Sequence, residues 1–305
     1  MKMPPTTDAN PQLEDLLPSW KRALKAENKS PRTIKSYFLA ADQLIKYLKD
    51  NDHSTVATEV SHREIQGYLA HMFDTRASAT AKQRYASLQQ LFKWLTIEDE
   101  IEVNPFDKIS KPRVTEQPVP VITAEEKNAL LTAAKGTGFD EVRDTAVIRL
   151  LSNTGIRLGE LVGMQFGDID LDHEQLTVTG KGQKTRTVAL GDNTIVALDR
   201  YERARRRHRL AALPHYWLGL RGPLTNSGVA QILVKRSRIA GLQRIHPHQF
   251  RHTFAHEFLR DGGGETDLMR IMGWDSPQML SRYGASAGAE RAREAHRRLG
   301  TGDNI

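Results

Sequence analysis

HPHQFRHTFAHEFLRDGGGETDLMRIMGWDSPQMLSRY, residues 246–283, carries the densest chemistry in the chain. His248 and Arg251 stand three positions apart, a spacing that puts both on one face of a helix. The stretch then crosses Gly262-Gly263-Gly264, reaches Trp274 behind a glycine and closes on Tyr283. A permanent cation, an imidazole that titrates near neutrality and a phenol together suit chemistry on a phosphate. Whether that chemistry is possible depends on what the other residues supply.

Upstream, Arg157 in Thr154-Gly155-Ile156-Arg157-Leu158-Gly159-Glu160-Leu161 opens a helix just past a glycine break. A cation at a helix N-terminus is electrostatically misplaced unless an anion joins it. A bound phosphate and the Glu160 carboxylate are both candidates. Leu176–Thr179 and Thr185–Leu190 alternate as strands around Gly180-Lys181-Gly182-Gln183-Lys184, which reads as a β-hairpin with a basic turn. Lys181 there is either a phosphate contact or a turn lysine without a role, and Lys184 is the second candidate. Neither glycine pattern matches a nucleotide-binding P-loop. The run RYERARRRHR at 200–209 reads as a solvated basic face, with DNA-backbone contact as the other reading. His248, His252 and His256 fall four apart, but the chain has no HExxH pattern and Arg251 would oppose a cation, so no metal site is expected. Further helices are expected after Thr123, whose spacing to Glu126 is that of a capping box, from Glu141 to Ser152, and over 227–240.

The first third of the chain repeats one pattern. Leu13, Leu16, Leu17, Trp20 and Leu24 recur at helical spacing, and Ser30-Pro31 then opens a stripe of Ile34, Tyr37, Phe38, Ala41, Leu44, Ile45 and Leu48. A third helix follows Ser61, and a fourth carries Tyr85, Leu88, Leu91, Phe92, Trp94 and Leu95. Lys29, Arg32 and Thr33, and then Lys82 and Arg84, sit at helix starts where they either hold phosphates or serve as caps and solvated surface. Residues 1–11 read as a mobile tail, 12–105 as a helical domain, 106–121 as a proline-rich linker and 122–305 as a second domain.

Composition sets the outer limits. The net charge is +7, and 27 basic against 21 acidic residues in 118–305 place six of those charges in the second part. An anionic partner, nucleic acid first, is one explanation, and ordinary solubility charge is the other. The absence of cysteine excludes disulfides and thiolate chemistry. No signal-peptide pattern and no apolar run near the ~20 residues of a membrane span is present, so a cytoplasmic protein without membrane contact is expected.

Taken in order, Arg157 in TGIRLGEL, Lys181 in a GKG turn, His248 and Arg251 in HPHQFRH, Trp274 in MGW and Tyr283 in RYG resemble the active-site motifs of the tyrosine recombinase, or phage integrase, family in its Xer-like two-domain form. The likeness extends to 12–105, similar to the family's core-binding domain, and to 118–300, similar to its catalytic domain. It implies a mostly α fold with a small antiparallel β-sheet: a four-helix core-binding domain and a mixed α+β catalytic domain. It also implies a site-specific recombinase that cleaves and rejoins double-stranded DNA through a 3′-phosphotyrosyl intermediate, with no cofactor, metal or ATP. Tyr283 is then the nucleophile, Arg157 and Arg251 the phosphate clamp, His248 the proton acceptor and Lys181 the general acid. Many members have a histidine where this chain has Trp274, which would orient the phosphate through its indole N–H. Lys29, Arg32, Thr33, Lys82, Arg84, Lys184 and Arg186 are the expected DNA contacts. A tetramer on DNA that exchanges a C-terminal tail helix, a possible partner recombinase or accessory protein, and a nucleoid location complete the implied picture. A type IB topoisomerase and a non-catalytic DNA-binding protein are the competing readings.

Overall fold

The computed structural model describes residues 10–112, 120–180, 184–277, 280, 292–293, 296–298 and 300. Its contacts fall into two units, Met1–Glu116 and Gln117–Ile305, each with its own apolar core.

The first unit is a four-helix bundle of α1 (Leu13–Ala26), α2 (Pro31–Asp50), α3 (His62–Thr75) and α4 (Ser78–Ile97). Local chemistry sets the starts of two of them. The Thr33 backbone N–H donates to Ser30 Oγ at 3.1 Å with Pro31 at the first helical position, and Ser61 and Glu64 form a capping box before α3. The apolar stripes meet in one core, where Trp20 stacks on Tyr37 and Phe38 at ring separations of 5.8 and 5.6 Å. Two segments expected to be loose are tied to this bundle. At the N-terminal end, Ala57 N–H donates to Pro11 O at 3.0 Å; residues 1–9 of the expected tail lie outside the described residues. At the other, Asn104 caps a 3-10 turn, Pro105–Lys108, that drops Phe106 against Tyr85 and Phe92 and buries Ile109 beside it. The extended linker expected from residue 106 therefore begins later. One 3-10 turn burying two apolar side chains has no periodicity to read in a sequence.

In the second unit, α6 (Phe139–Thr154) runs through the core with Ala146, Val147, Ile148, Leu150 and Leu151 fully buried. Around it lie α5 (Ala124–Ala133), α7 (Leu158–Gly163), α8 (Asp192–Arg206), α9 (Asn226–Ile239), α10 (Pro247–Arg260) and α11 (Glu265–Met272). A three-stranded antiparallel sheet, β1 (Ile169–Asp170), β2 (Gln175–Thr179) and β3 (Thr185–Ala189), is ordered β1-β2-β3. Leu176 pairs with Val188 and Thr179 with Thr185, so the expected hairpin forms with Leu176, Val178 and Val188 facing the core. The two-residue β1 escapes a sequence reading because it is too short to alternate.

Arginines inside this unit organise it. Asp144 accepts from both Arg143 and Arg236 at 2.7–2.9 Å, and Asp140 and Glu141 supply further carboxylates to the two arginines at 2.9 and 3.6 Å. Arg205 is 1% exposed and donates to the carbonyls of Ala211, Leu213, His215 and Tyr216, with its guanidinium 4.3 Å from the Phe166 ring. It belongs to the basic run read as a solvated face, and the reason it is buried lies in the carbonyls of the following loop. Among the described residues no helix is long and apolar enough to cross a membrane.

Candidate active site

Arg157 stands where α6 ends and α7 begins. Gly155 terminates α6 in the left-handed conformation, φ 58°, and Arg157 takes the N-cap position of α7. Its backbone N–H donates to Glu160 Oε2 at 2.8 Å and its Nη1 to Glu160 Oε1 at 2.9 Å, so the internal carboxylate weighed in the sequence does answer this cation. Nη2 donates to Gly273 O at 2.9 Å. These bonds use two of five guanidinium N–H donors on a side chain that is 42% exposed, and the others have no partner among the described residues. An anion can therefore still join Arg157.

On α10, Arg251 is 4% exposed and donates through Nη1 to Gly155 O at 2.9 Å and through Nη2 to Met272 O at 2.6 Å. Its guanidinium lies 5.5 Å from the Trp274 ring, a cation–π contact. Each arginine is thus aimed by a carbonyl at a helix C-terminus. α11 ends on Gly273, φ 59°, as α6 ends on Gly155. His248, one turn before Arg251, opens to solvent at the edge of the same cleft. Enclosure by the cleft walls, and then the Arg251 charge, push its pKa below the ordinary histidine value, so at neutral pH it is an uncharged imidazole able to take a proton. The cleft has a volume of about 360 Å³; Arg157, His248, Arg251 and Trp274 line it together with His246 and Pro247. His246 was not singled out by the sequence reading. The H-P-H pattern, which makes it the residue before the helix, was the available signal.

The β2–β3 hairpin borders this arrangement. Gly180 N–H donates to Lys184 O at 2.8 Å, and Lys184 Nζ reaches Asp275, next to Trp274, at 3.0 Å. Arg186 turns inward. It donates through Nη1 and Nη2 to the two Glu160 oxygens at 2.9 and 2.8 Å and through Nε to Ile271 O at 2.6 Å. Burial would raise the Glu160 carboxyl, but the bonds from Arg186 and Arg157 outweigh it and hold the pKa at about 2. With its side chain 13% exposed and each of its three nitrogens bonded to Glu160 or Ile271, Arg186 is not placed as the DNA contact the sequence suggested.

Other expected contacts divide. Lys29 and Arg32 are exposed at the start of α2, while Thr33 is half-buried and shares its hydroxyl with Ser30 at 2.8 Å. Lys82 is half-buried. Arg84 is 7% exposed and its Nε donates to Gln43 Oε1 at 2.6 Å, tying α4 to α2 inside the bundle. A cation spent in this way cannot meet a phosphate at the surface. Lys181, Tyr283 and most of the expected tail helix lie outside the described residues. Among the described residues no three His, Asp or Glu side chains converge as metal ligands.

Residues 120–290 match the model of the Phage integrase family, and residues 16–102 that of the Phage integrase, N-terminal SAM-like domain. The chain is 30% identical over 269 residues to Tyrosine recombinase XerC of Staphylococcus epidermidis, covering 85% of this chain and 88% of that one. Among solved structures, the fold is similar to the Tn1549 transposon integrase in complex with transposon right end DNA, with a TM-score of 0.75 at 20% identity over 95% of this chain and all of that one. It is also similar to the XerH site-specific recombinase in a post-cleavage complex on difH DNA, with a TM-score of 0.74 at 18% identity over 93% of this chain and 83% of that one.

Proposed function

This chain belongs to the phage integrase family, and from that premise we propose that it is a site-specific recombinase that cuts and rejoins double-stranded DNA through Tyr283. The Tyr283 phenol attacks the scissile phosphorus, its oxygen forms the new P–O bond, and the bond to the 5′-oxygen breaks to leave a 3′-phosphotyrosyl ester and a 5′-hydroxyl. A free phenol titrates near ~10 and needs a proton acceptor, which is the role of the neutral His248 imidazole. Arg157 and Arg251 hold the non-bridging oxygens and offset the charge that builds up on them. Lys181, in the turn bracketed by Gly180 and Lys184, gives the departing 5′-oxygen its proton, with Trp274 as a wall that packs on Arg251 and orients the phosphate. The phosphotyrosyl ester keeps the energy of the broken bond, so the 5′-hydroxyl of a second duplex can reverse the step without ATP.

The observation that carries this reading is the common cleft of Arg157, His248, Arg251 and Trp274, from elements up to 117 residues apart in sequence. Lys29, Arg32, Thr33, Lys82 and Lys184 are the contacts proposed to hold the DNA backbone. Strand exchange between two duplexes calls for four copies of the chain, with a second recombinase or an accessory protein as a further partner, in the cytoplasm at the nucleoid. The test is to incubate the protein with a nicked duplex whose cleaved end diffuses away, and to look for a covalent protein–DNA adduct. Adduct with the wild type and none with Tyr283→Phe is expected; adduct with both removes Tyr283 as the nucleophile.

A further inference from the structure

Arg186 is the one expected DNA contact whose three donor nitrogens are all engaged inside the second unit, and its acceptors lie behind residues that line the active-site cleft. Two of its bonds go to the carboxylate that also holds Arg157. The third goes to Ile271 O, on the last turn of α11, next to the two residues whose carbonyls hold Arg251 and Arg157. The α11 C-terminus is therefore held from three sides, by Arg157 on Gly273, by Arg251 on Met272 and by Arg186 on Ile271. Arg186 alone of the three comes from the hairpin strand that follows the Lys181 turn. Space confirms how tight the contact is. A Cβ on Gly273 would lie 3.2 Å from Arg186 Nη1.

We propose that Arg186 is a positioning residue of the recombinase site: it locks strand β3 to the α11 C-terminus, so that β3, Arg157 and Trp274 keep one geometry relative to each other. This assignment rests on the recombinase reading for its kinetic consequence, but not for its structural one. A planar guanidinium can serve a carboxylate with two parallel bonds and a carbonyl with a third. A lysine ammonium carries three donors from one point and cannot span both acceptors in that geometry. Glutamine keeps the polarity and loses the charge and the reach.

The experiment compares wild type, Arg186→Lys and Arg186→Gln by two measurements. The first is amide hydrogen exchange on the DNA-free protein. Removing the Ile271 bond is expected to speed exchange at least tenfold in residues 268–275, with Arg186→Gln more affected than Arg186→Lys and the bundle at 31–97 unchanged. Unchanged exchange in 268–275 overturns the proposal whatever the enzyme does. The second pairs DNA affinity with the single-turnover rate of adduct formation. A positioning role lowers the rate about 100-fold in Arg186→Gln while Kd stays within about threefold and its salt dependence is unaltered, and Arg186→Lys recovers part of the rate. A weaker Kd whose salt slope falls by about one identifies Arg186 as a phosphate contact instead and overturns the proposal. An unaltered rate overturns it too. If wild-type protein forms no Tyr283-dependent adduct, the recombinase reading fails, and the exchange result still decides whether Arg186 holds the α11 C-terminus.

Discussion

His248 lines the cleft and Glu160 holds one of its arginines, and their pKa values move in ways that can be measured separately. The imidazole is shifted below its ordinary value, so it is neutral and able to accept a proton at neutral pH and loses that ability as the pH falls. The single-turnover cleavage rate is expected to be flat at pH 7–8 and to fall with a midpoint below ~6.5. In His248→Gln that limb should disappear and the plateau should drop by roughly 100-fold. Glu160 has a folded pKa of about 2, depressed from the usual carboxylate value. A depressed acid contributes stability above its unfolded pKa, and that contribution is lost as the pH falls through the folded one. Urea unfolding of the wild type should thus weaken between about pH 4.5 and 2, by on the order of 3 kcal/mol from this group. Glu160→Gln should be less stable at pH 7 and show a shallower slope over that window; an equal slope would mean that the carboxylate is not held by its two arginines.

The helix ends are where this fold makes its site, and glycines decide two of them. Gly155 is left-handed, and a Cβ there would come within 2.9 Å of the Phe254 side chain, whereas one on Gly159, four residues on, would meet nothing within 4 Å. Gly155→Ala should therefore cost about 2 kcal/mol or more in denaturant unfolding and slow cleavage, since Gly155 O aims Arg251. Gly159→Ala should be neutral or gain up to about 1 kcal/mol. Much at this scale was legible in the sequence because it is local. The Ser30 cap, the Thr123–Glu126 box and the apolar stripes are all settled within a few residues. Charge was legible only as charge. Arg84, Arg186 and Arg205 looked like surface cations, and what removes them from the surface is Gln43, Glu160 with Ile271, and a set of loop carbonyls, partners supplied by tertiary packing. The cleft residues could be read in advance for a different reason: each sits in a short motif that resembles a known family, and the fold brings four of them together.

Across the whole molecule, the apolar clusters divide between the two units and imply two folding units. Residues 10–112 expressed alone should melt cooperatively with full helical signal, because the core of that unit is completed by its own Phe106 and Ile109. A broad, non-cooperative melt would show that the bundle needs the second unit. The charge is shared unequally between them, six of seven net positive charges lying in 118–305, so most of the salt dependence of DNA binding should belong to the second unit. Within the first, the double substitution Lys29→Ala with Arg32→Ala should lower the slope of log Kd against log salt by about two if both meet phosphates, and leave it unchanged if they are solvated surface.

Arg205 has a consequence for how this sequence can change over time. Four main-chain carbonyls along residues 211–216 are gripped by one guanidinium, and main-chain carbonyls are the same whatever side chain follows them. Part of the instruction for the shape of that loop is thus stored outside it, in a single codon on α8. A substitution at Ala211 or Leu213 leaves those carbonyls where they are, whereas a change at position 205 would remove all four bonds at once.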